Sequence, residues 1–189
     1  IVEDMDEETG KLKSEKAMLK EKLKPNVDGE ARWIKKMRRL HFGYKRHSVT
    51  DENGLVLAEE TTAANESDIK HLETPLKKAN LPKKTLVYAD KGYDSAENKE
   101  VLARIKLKSR IMHKGTRAHK ITEREKRINM AISKIRYRVE RTFGSIHRWF
   151  RGGTARYVGL AKTHAQHIME AVAYNLYRTP GIIVSNTLK

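Results

Sequence analysis

The longest periodic pattern in the chain runs from Ile121 to Phe150. Its apolar residues fall at Ile121, Ile128, Ile132, Ile135, Val139, Phe143, Ile146 and Phe150. After the first gap the steps are four, three, four, four, three and four, the period of one helix face. No proline interrupts the run, so the pattern predicts one long helix with a buried seam. A second, polar stripe lies beside the seam: Ser133, Arg136, Glu140, Gly144 and His147. Its single acid is Glu140, set among Arg136, Arg138 and Arg141.

Shorter patterns predict the remaining elements. HFGYKRHSVTD and LVLAEETTAAN flank Glu52-Asn53-Gly54, a strong hairpin signal. They predict a two-stranded antiparallel unit, with order beginning at Trp33. Ser67 or Asp68 then caps a helix reaching Ala79, with Ile69, Leu72 and Leu76 on one face and Pro75 as a kink. TLVYAD, residues 85–90, is a short apolar run closed by an acid, which predicts a strand buried on both faces in a central, parallel position. Ser95 caps a helix from Ala96 to Lys106 with Val101, Leu102 and Ile105 inward. Residues 109–112 predict another strand. A basic loop, the long helix, a Gly152-Gly153 break and a last helix from about Lys162 to Arg178 complete the chain. The order of hairpin, helix, strand, helix, strand, helix, helix belongs to the α/β class, a mixed sheet with flanking helices.

Charge sharpens this picture. Forty Lys and Arg stand against 24 Asp and Glu, a formal net charge of +16 over 189 residues. Such an excess points to a polyanion, nucleic acid first, although structural nucleic-acid proteins share it. There is no cysteine, hence neither disulfide nor thiolate metal site. No apolar run approaches a membrane span, and the acidic opening IVEDMDEETG is unlike a signal peptide; both fit a cytoplasmic protein. Residues 1–30 are almost all charge and read as an arm or linker, residues 31–181 as the folded domain, and residues 182–189 as a tail.

Two acids carry the candidate chemistry. Asp90 closes the buried strand and is followed by Lys91-Gly92-Tyr93-Asp94-Ser95. Ligands of open α/β sheets bind beyond the carboxyl ends of strands, though an Asp there also simply caps turns. Glu140 has a plain reading too, an i,i+4 pair with Arg136 worth a few tenths of a kcal/mol. Together they read as a strand-end Asp and a helix-borne Glu sharing divalent cations through oxygen ligands, as Mg²⁺ prefers. Two ions about 4 Å apart clamp the attacking and leaving oxygens of a phosphoryl displacement, and the arginines hold phosphates. His41, His47 and His164 lack metal-ligand spacing, and His164 and His167, three apart, read as helix packing. Trp33 and Trp149 read as core or platform residues, with Trp149 beside Arg148 also placed to stack on a splayed base.

YADKGYDS, RYRVERTFGSIHRWF and GLAKTHAQHIMEAVAYNL, together with the hairpin HFGYKRHSVTDENGLVLAEETTAANESD, resemble the DDE transposases of bacterial insertion sequences, the insertion-sequence-five branch of the insertion-sequence-four-like superfamily. The resemblance runs from about Asp28 to Gly181. It implies an RNase-H-like fold, Mg²⁺ or Mn²⁺ as cofactor, action on insertion-sequence ends and target DNA, and a homodimer that pairs two ends near the nucleoid. It assigns Asp90 as the second catalytic Asp and Glu140 as the Glu, both catalytic and metal-binding. Arg136 matches the Arg of the pattern Tyr-two-Arg-three-Glu-six-Lys, while Ser133 replaces its Tyr and His147 its Lys. Arg136, Arg138, Arg141, His147, Arg148 and Lys91 become the DNA contacts. The family's first Asp ends its first strand, and Ile1-Val2 reads as the apolar pair shortly after that acid. This places the Asp just before residue 1 and predicts a fold truncated at the first strand. The expected function is metal-dependent phosphodiester cleavage and strand transfer. The alternatives are a catalytically inactive DNA-binding remnant and, on charge alone, a structural nucleic-acid-binding protein.

Overall fold

The computed structural model describes residues 27–36, 38–117 and 120–187. The charged arm expected over residues 1–30 lies almost wholly outside them. The architecture is mixed α/β with flanking helices, consistent with an RNase-H-like domain, but the strands form two separate sheets among the described residues in place of the one mixed sheet expected.

The first sheet is antiparallel and holds three strands, β1 (Arg32–Lys36), β2 (Arg39–Thr50) and β3 (Val56–Ala63), in the order β1-β2-β3. The expected hairpin is β2–β3. Asp51 shapes its turn: its side chain accepts the N–H groups of Asn53 and Leu55 at 2.9 and 2.8 Å. Gly54 takes φ +83° there, a conformation that side chains avoid. The two-stranded unit read from the sequence is corrected by β1, a short basic stretch with no fully buried residue to announce it. It pairs with β2 only from Arg39 to Gly43. Beyond Gly43, the edge of β2 away from β3 has no strand partner among the described residues.

The second sheet is parallel, β4 (Leu86–Ala89) with β5 (Lys108–Ile111). Strand β4 is half-buried rather than covered on both faces: Val87 and Ala89 are inside, and Leu86 is exposed. Its edge away from β5 also lacks a strand partner among the described residues. Between β4 and β5, α2 (Ala96–Arg104) is capped by Ser95, which accepts from the N–H of Asn98. The helix expected after Ser67 divides at Leu72 into a single 3-10 turn (Asp68–His71) and α1 (Glu73–Ala79), with Pro75 buried in the first turn of α1, where no helical N–H is lost. One core joins these pieces: Leu72, Leu76, Val87, Ala89, Leu102, Leu107 and Ile111.

The long helix α3 (Glu123–Phe150) opens with a capping box between Thr122 and Glu125. The last helix, α4 (Leu160–Thr187), runs past the expected end at Arg178 and carries Pro180 within it, so most of the expected tail is helical. A second core of Val56, Ile146, Ala171 and Tyr174 joins β3, α3 and α4. The predicted seam of α3 is buried only in part, and Thr142, seven residues on from Ile135 and so on nearly the same stripe, joins it. Ile132, Thr142 and Ile146 are buried, while Ile128 and Ile135 are exposed. Thr142 is inside because its hydroxyl donates to the Gly54 carbonyl at 2.7 Å, a bond no isoleucine makes.

Beneath these contacts lies a buried polar network. Arg46 donates to Glu59 through Nε at 3.0 Å and Nη2 at 2.7 Å, and to Glu170 at 3.0 Å. Glu170 also receives Arg156 and Gln166. The Nδ1 atoms of His164 and His167 lie 3.1 and 2.7 Å from the Thr61 hydroxyl, so this pair packs the helix, as expected.

Candidate active site and nucleic-acid face

Strand β4 ends at Ala89 and delivers Asp90 to the start of the 3-10 turn Lys91–Tyr93. There Asp90 does cap the turn: Oδ1 accepts the Lys91 N–H at 2.7 Å. That bond uses one carboxylate oxygen. The side chain remains 45% exposed, enough to meet a ligand, and its nearest cation is Arg136, with Nη1 3.5 Å from Oδ1. The same guanidinium nitrogen lies 3.6 Å from Met112 Sδ. Arg136 thus brings the middle of α3 to the carboxyl end of β4.

Glu140 lies one turn further along α3, ~6 Å down the helix axis. It is exposed. Its plainest role fails: Arg136 pairs with Asp90 instead, and Glu140 forms no hydrogen bond or ion pair among the described residues. Arg138 is committed elsewhere, donating to the Glu52 carbonyl at 2.9 Å. Arg141 is exposed beside Glu140, and Lys91 is exposed beside Asp90. At the end of α3 the His147 ring lies against Gly153, so closely that a Cβ there would overlap it. Arg148 places its guanidinium 5.3 Å from the centre of the Trp149 ring. Trp149 and Trp33 are 59% and 58% exposed, so neither is a core residue. Residues 115–151 hold eleven Lys or Arg and three Glu, a net charge of +8.

A cleft of about 810 Å³ opens beside Asp90. The unpaired edges of β2 and β4 form its two sides, Arg46 to Thr50 and Leu86 to Ala89, and Arg136, Val139 and Phe143 of α3 reach into it. Glu140 stands outside the lining. On the opposite wall His47 is buried, with Nδ1 3.2 Å from the Tyr93 hydroxyl, Nε2 3.1 Å from Thr62, and its ring stacked on His71 at 5.0 Å. Desolvation first, and then the charge of His71, push the His47 pKa down. Burial, joined by the charges of Asp68 and Asp90, pushes the Tyr93 phenol up to about 12, so it stays a hydrogen-bonding hydroxyl. Sequence spacing gives no sign of this group, because cross-strand and turn contacts assemble it.

The two other acids nearest in character to a metal ligand are occupied. Asp51 holds the β2–β3 turn. Asp28 accepts the Tyr44 hydroxyl and the N–H groups of Glu30, Ala31 and Gly159. Burial raises its pKa, but those bonds outweigh burial and hold it below the usual carboxylate value. Among the described residues no group of three or more His, Asp or Glu is placed to hold a metal ion, and no helix is long and apolar enough to cross a membrane.

Over residues 7–176 the chain matches the protein family described as Transposase DDE domain. It is similar to the Transposase for insertion sequence element IS1106 of Neisseria meningitidis serogroup B. The two are 45% identical over 154 residues, which is 82% of this chain and 53% of that protein. The chain therefore spans about half the length of this curated relative. No solved structure matches it.

Proposed function

The chain belongs to the transposase DDE-domain family, and from that premise we propose that it is the catalytic part of an insertion-sequence transposase, cutting phosphodiesters at element ends and joining the freed 3′-hydroxyl to target DNA. One observation carries the reading. Arg136 ties Asp90 at the end of β4 to α3, one turn from Glu140, a carboxylate left unpaired among arginines.

Both acids offer hard oxygen donors of the kind Mg²⁺ or Mn²⁺ takes. Asp90 has an oxygen not used in capping the turn, and Glu140 has both. A bound pair of ions would supply charge stabilisation to the attacking and leaving oxygens. The chain's own residues do the rest. Arg141, Arg148 and Lys91 hold the DNA backbone, with Arg138 and His147 flanking it, and Arg136 leaves Asp90 for a phosphate as the acid takes up its ligand. A third carboxylate belongs to such a site. The cleft between β2 and β4 suits an extended segment that pairs with both edges and carries that acid beside Asp90. Two copies pairing two ends, in the cytoplasm where the DNA lies, complete the reading.

A second reading has its own observation: the described residues assemble no group of three metal-holding side chains. It takes the chain as a DNA binder that does not cut. One experiment decides between the two. Labelled element-end duplex is incubated with Mg²⁺ and the 189-residue chain, alone or preceded by a strand ending in Asp. Binding without cutting in the first case, cutting in the second, and its loss in Asp90→Asn and Glu140→Gln are expected. Undiminished cutting by the Glu140→Gln variant would remove Glu140 from the site. The duplex affinity should also fall steeply with salt, and a flat response would remove the nucleic-acid reading.

A further inference from the structure

The outer part of the β1–β2 arm, residues 31–43, does not line the cleft above. From Ala31 to Thr50 the chain holds seven Lys or Arg and no acid. Arg46 is buried in its ion pairs, Lys45 meets Asp68 at 2.9 Å, and Arg32 donates to backbone carbonyls. Lys35, Lys36, Arg38 and Arg39 are exposed and form no ion pair among the described residues.

The same arm shows an aromatic surface. Trp33 and Phe42 face each other across the strands, with ring centroids 5.1 Å apart and planes inclined at 46°. They are 58% and 42% exposed, and Leu40, on the same face, is 57% exposed. Trp149 differs, since its ring already carries Arg148 and neighbours Tyr177. The arm is also held at its root. Tyr44 donates to Asp28, which accepts the Gly159 N–H at 2.9 Å, and Glu30 accepts the Leu160 N–H at 2.9 Å.

We propose that the β1–β2 arm is a platform for unpaired DNA, on which bases stack against Trp33 and Phe42 while Lys35, Lys36, Arg38 and Arg39 follow the phosphates. An aromatic face that also carries Lys35, with Lys36, Arg38 and Arg39 at the tip and reverse face of the arm, suits a single strand, because every base offers a π-face. An intact duplex offers none, its bases being stacked on one another. An acid-free surface of this kind suits a polyanion. The proposal rests on the action on DNA proposed above and adds where an opened or cut end is held.

The test uses the 189-residue chain. It has two tryptophans, so Trp149→Phe leaves Trp33 as the sole indole. Oligo-dT of about a dozen nucleotides, within the usual range of single-strand site sizes, is titrated while Trp33 emission is followed. Quenching is expected. Trp33→Ala with Phe42→Ala should weaken oligo-dT binding about tenfold or more and leave blunt-duplex affinity unchanged. Replacing the four cations by Gln should flatten the salt dependence of single-strand binding by about 3 in log–log slope. Circular dichroism checks the folding of each variant. Silent Trp33 emission, or unchanged oligo-dT affinity in a folded double variant, overturns the platform. An equal loss on duplex overturns it too, since the arm would then be a backbone clamp. If the unaltered chain fails to bind duplex at all, the transposase reading falls first. A chain that binds duplex while Trp33 stays silent sinks only the platform.

Discussion

His167 ties stability to pH in a way that a single substitution isolates. Desolvation, reinforced by the charge of Arg46 and, least of all, by that of His164, lowers its pKa from the ordinary 6.5 to about 4, against a smaller opposing effect of Glu170. The folded protein therefore keeps this imidazole neutral, hydrogen-bonded to Thr61 at 2.7 Å. Below pH 6.5 the unfolded chain binds a proton that the folded chain refuses, so stability falls as pH drops from about 6.5 towards 4. Between about pH 7.5 and pH 5 these two values give a loss of roughly 2 kcal/mol, at 1.36 kcal/mol per pKa unit. Stopping at about pH 5 avoids most carboxylate titration. His167→Asn keeps a polar partner for Thr61 but does not titrate. Urea unfolding of both proteins at the two pH values measures the difference. The wild type should lose about 2 kcal/mol more than the variant. A smaller loss remains in the variant, because His47 and His164 are lowered in the same direction. Equal losses in both proteins would show that His167 titrates normally and that the polar core is not sealed.

Three further outcomes follow from the packing. Thr142→Val should destabilise the chain by about 1–3 kcal/mol in urea titration, since it leaves the buried Gly54 carbonyl without the Thr142 hydroxyl; a neutral result would mean that water reaches that carbonyl. Gly54→Ala should cost at least ~1 kcal/mol, because the residue has φ +83° and a Cβ would stand 2.8 Å from Thr142 Oγ1; adding Thr142→Ala, which removes that oxygen, should not relieve the backbone part. Asp28→Asn should loosen the root of the β1–β2 arm, seen as faster amide exchange at Gly159 and Ala31, whose N–H groups Asp28 accepts; unchanged exchange would count against that anchor.

The elements that declare themselves in the sequence are those whose signals are local. Glu52-Asn53-Gly54 marks the hairpin, Ser95 the start of α2, and the unbroken apolar period up to Phe150 the extent of α3. What escapes is set at a distance. Strand β1 lies along an arm exposed to water, none of its residues is fully buried, and RWIKK is too short and too basic to show a strand pattern. Thr142 is buried because a carbonyl 88 positions away needs a donor, while Ile128 and Ile135, on nearly the same stripe, are exposed because burial follows what packs on each stretch of α3 and not its period alone. Helix α4 continues past the expected end at Arg178, with Pro180 inside it. In the site, Asp90 is legible as a strand-end acid and Glu140 as a lone acid on a basic stripe. The ion pair that links Asp90 to α3, through Arg136, is not, because nothing in the spacing of residues 90 and 136 encodes their meeting.

The cleft beside Asp90 lies between two strand edges without a strand partner among the described residues, which opens it to an added strand. Strand β2 beyond Gly43 and the far side of β4 present ladder groups that an incoming strand satisfies without being covalently attached. A peptide of alternating apolar residues ending in Asp should act as that added strand, raising the melting temperature with its concentration by the logarithmic law of a ligand that binds only the folded state. The same edges, unpaired among the described residues, should limit the working concentration, because another copy's strand can also pair with them. Light scattering that falls as the peptide is added would report both effects in one titration.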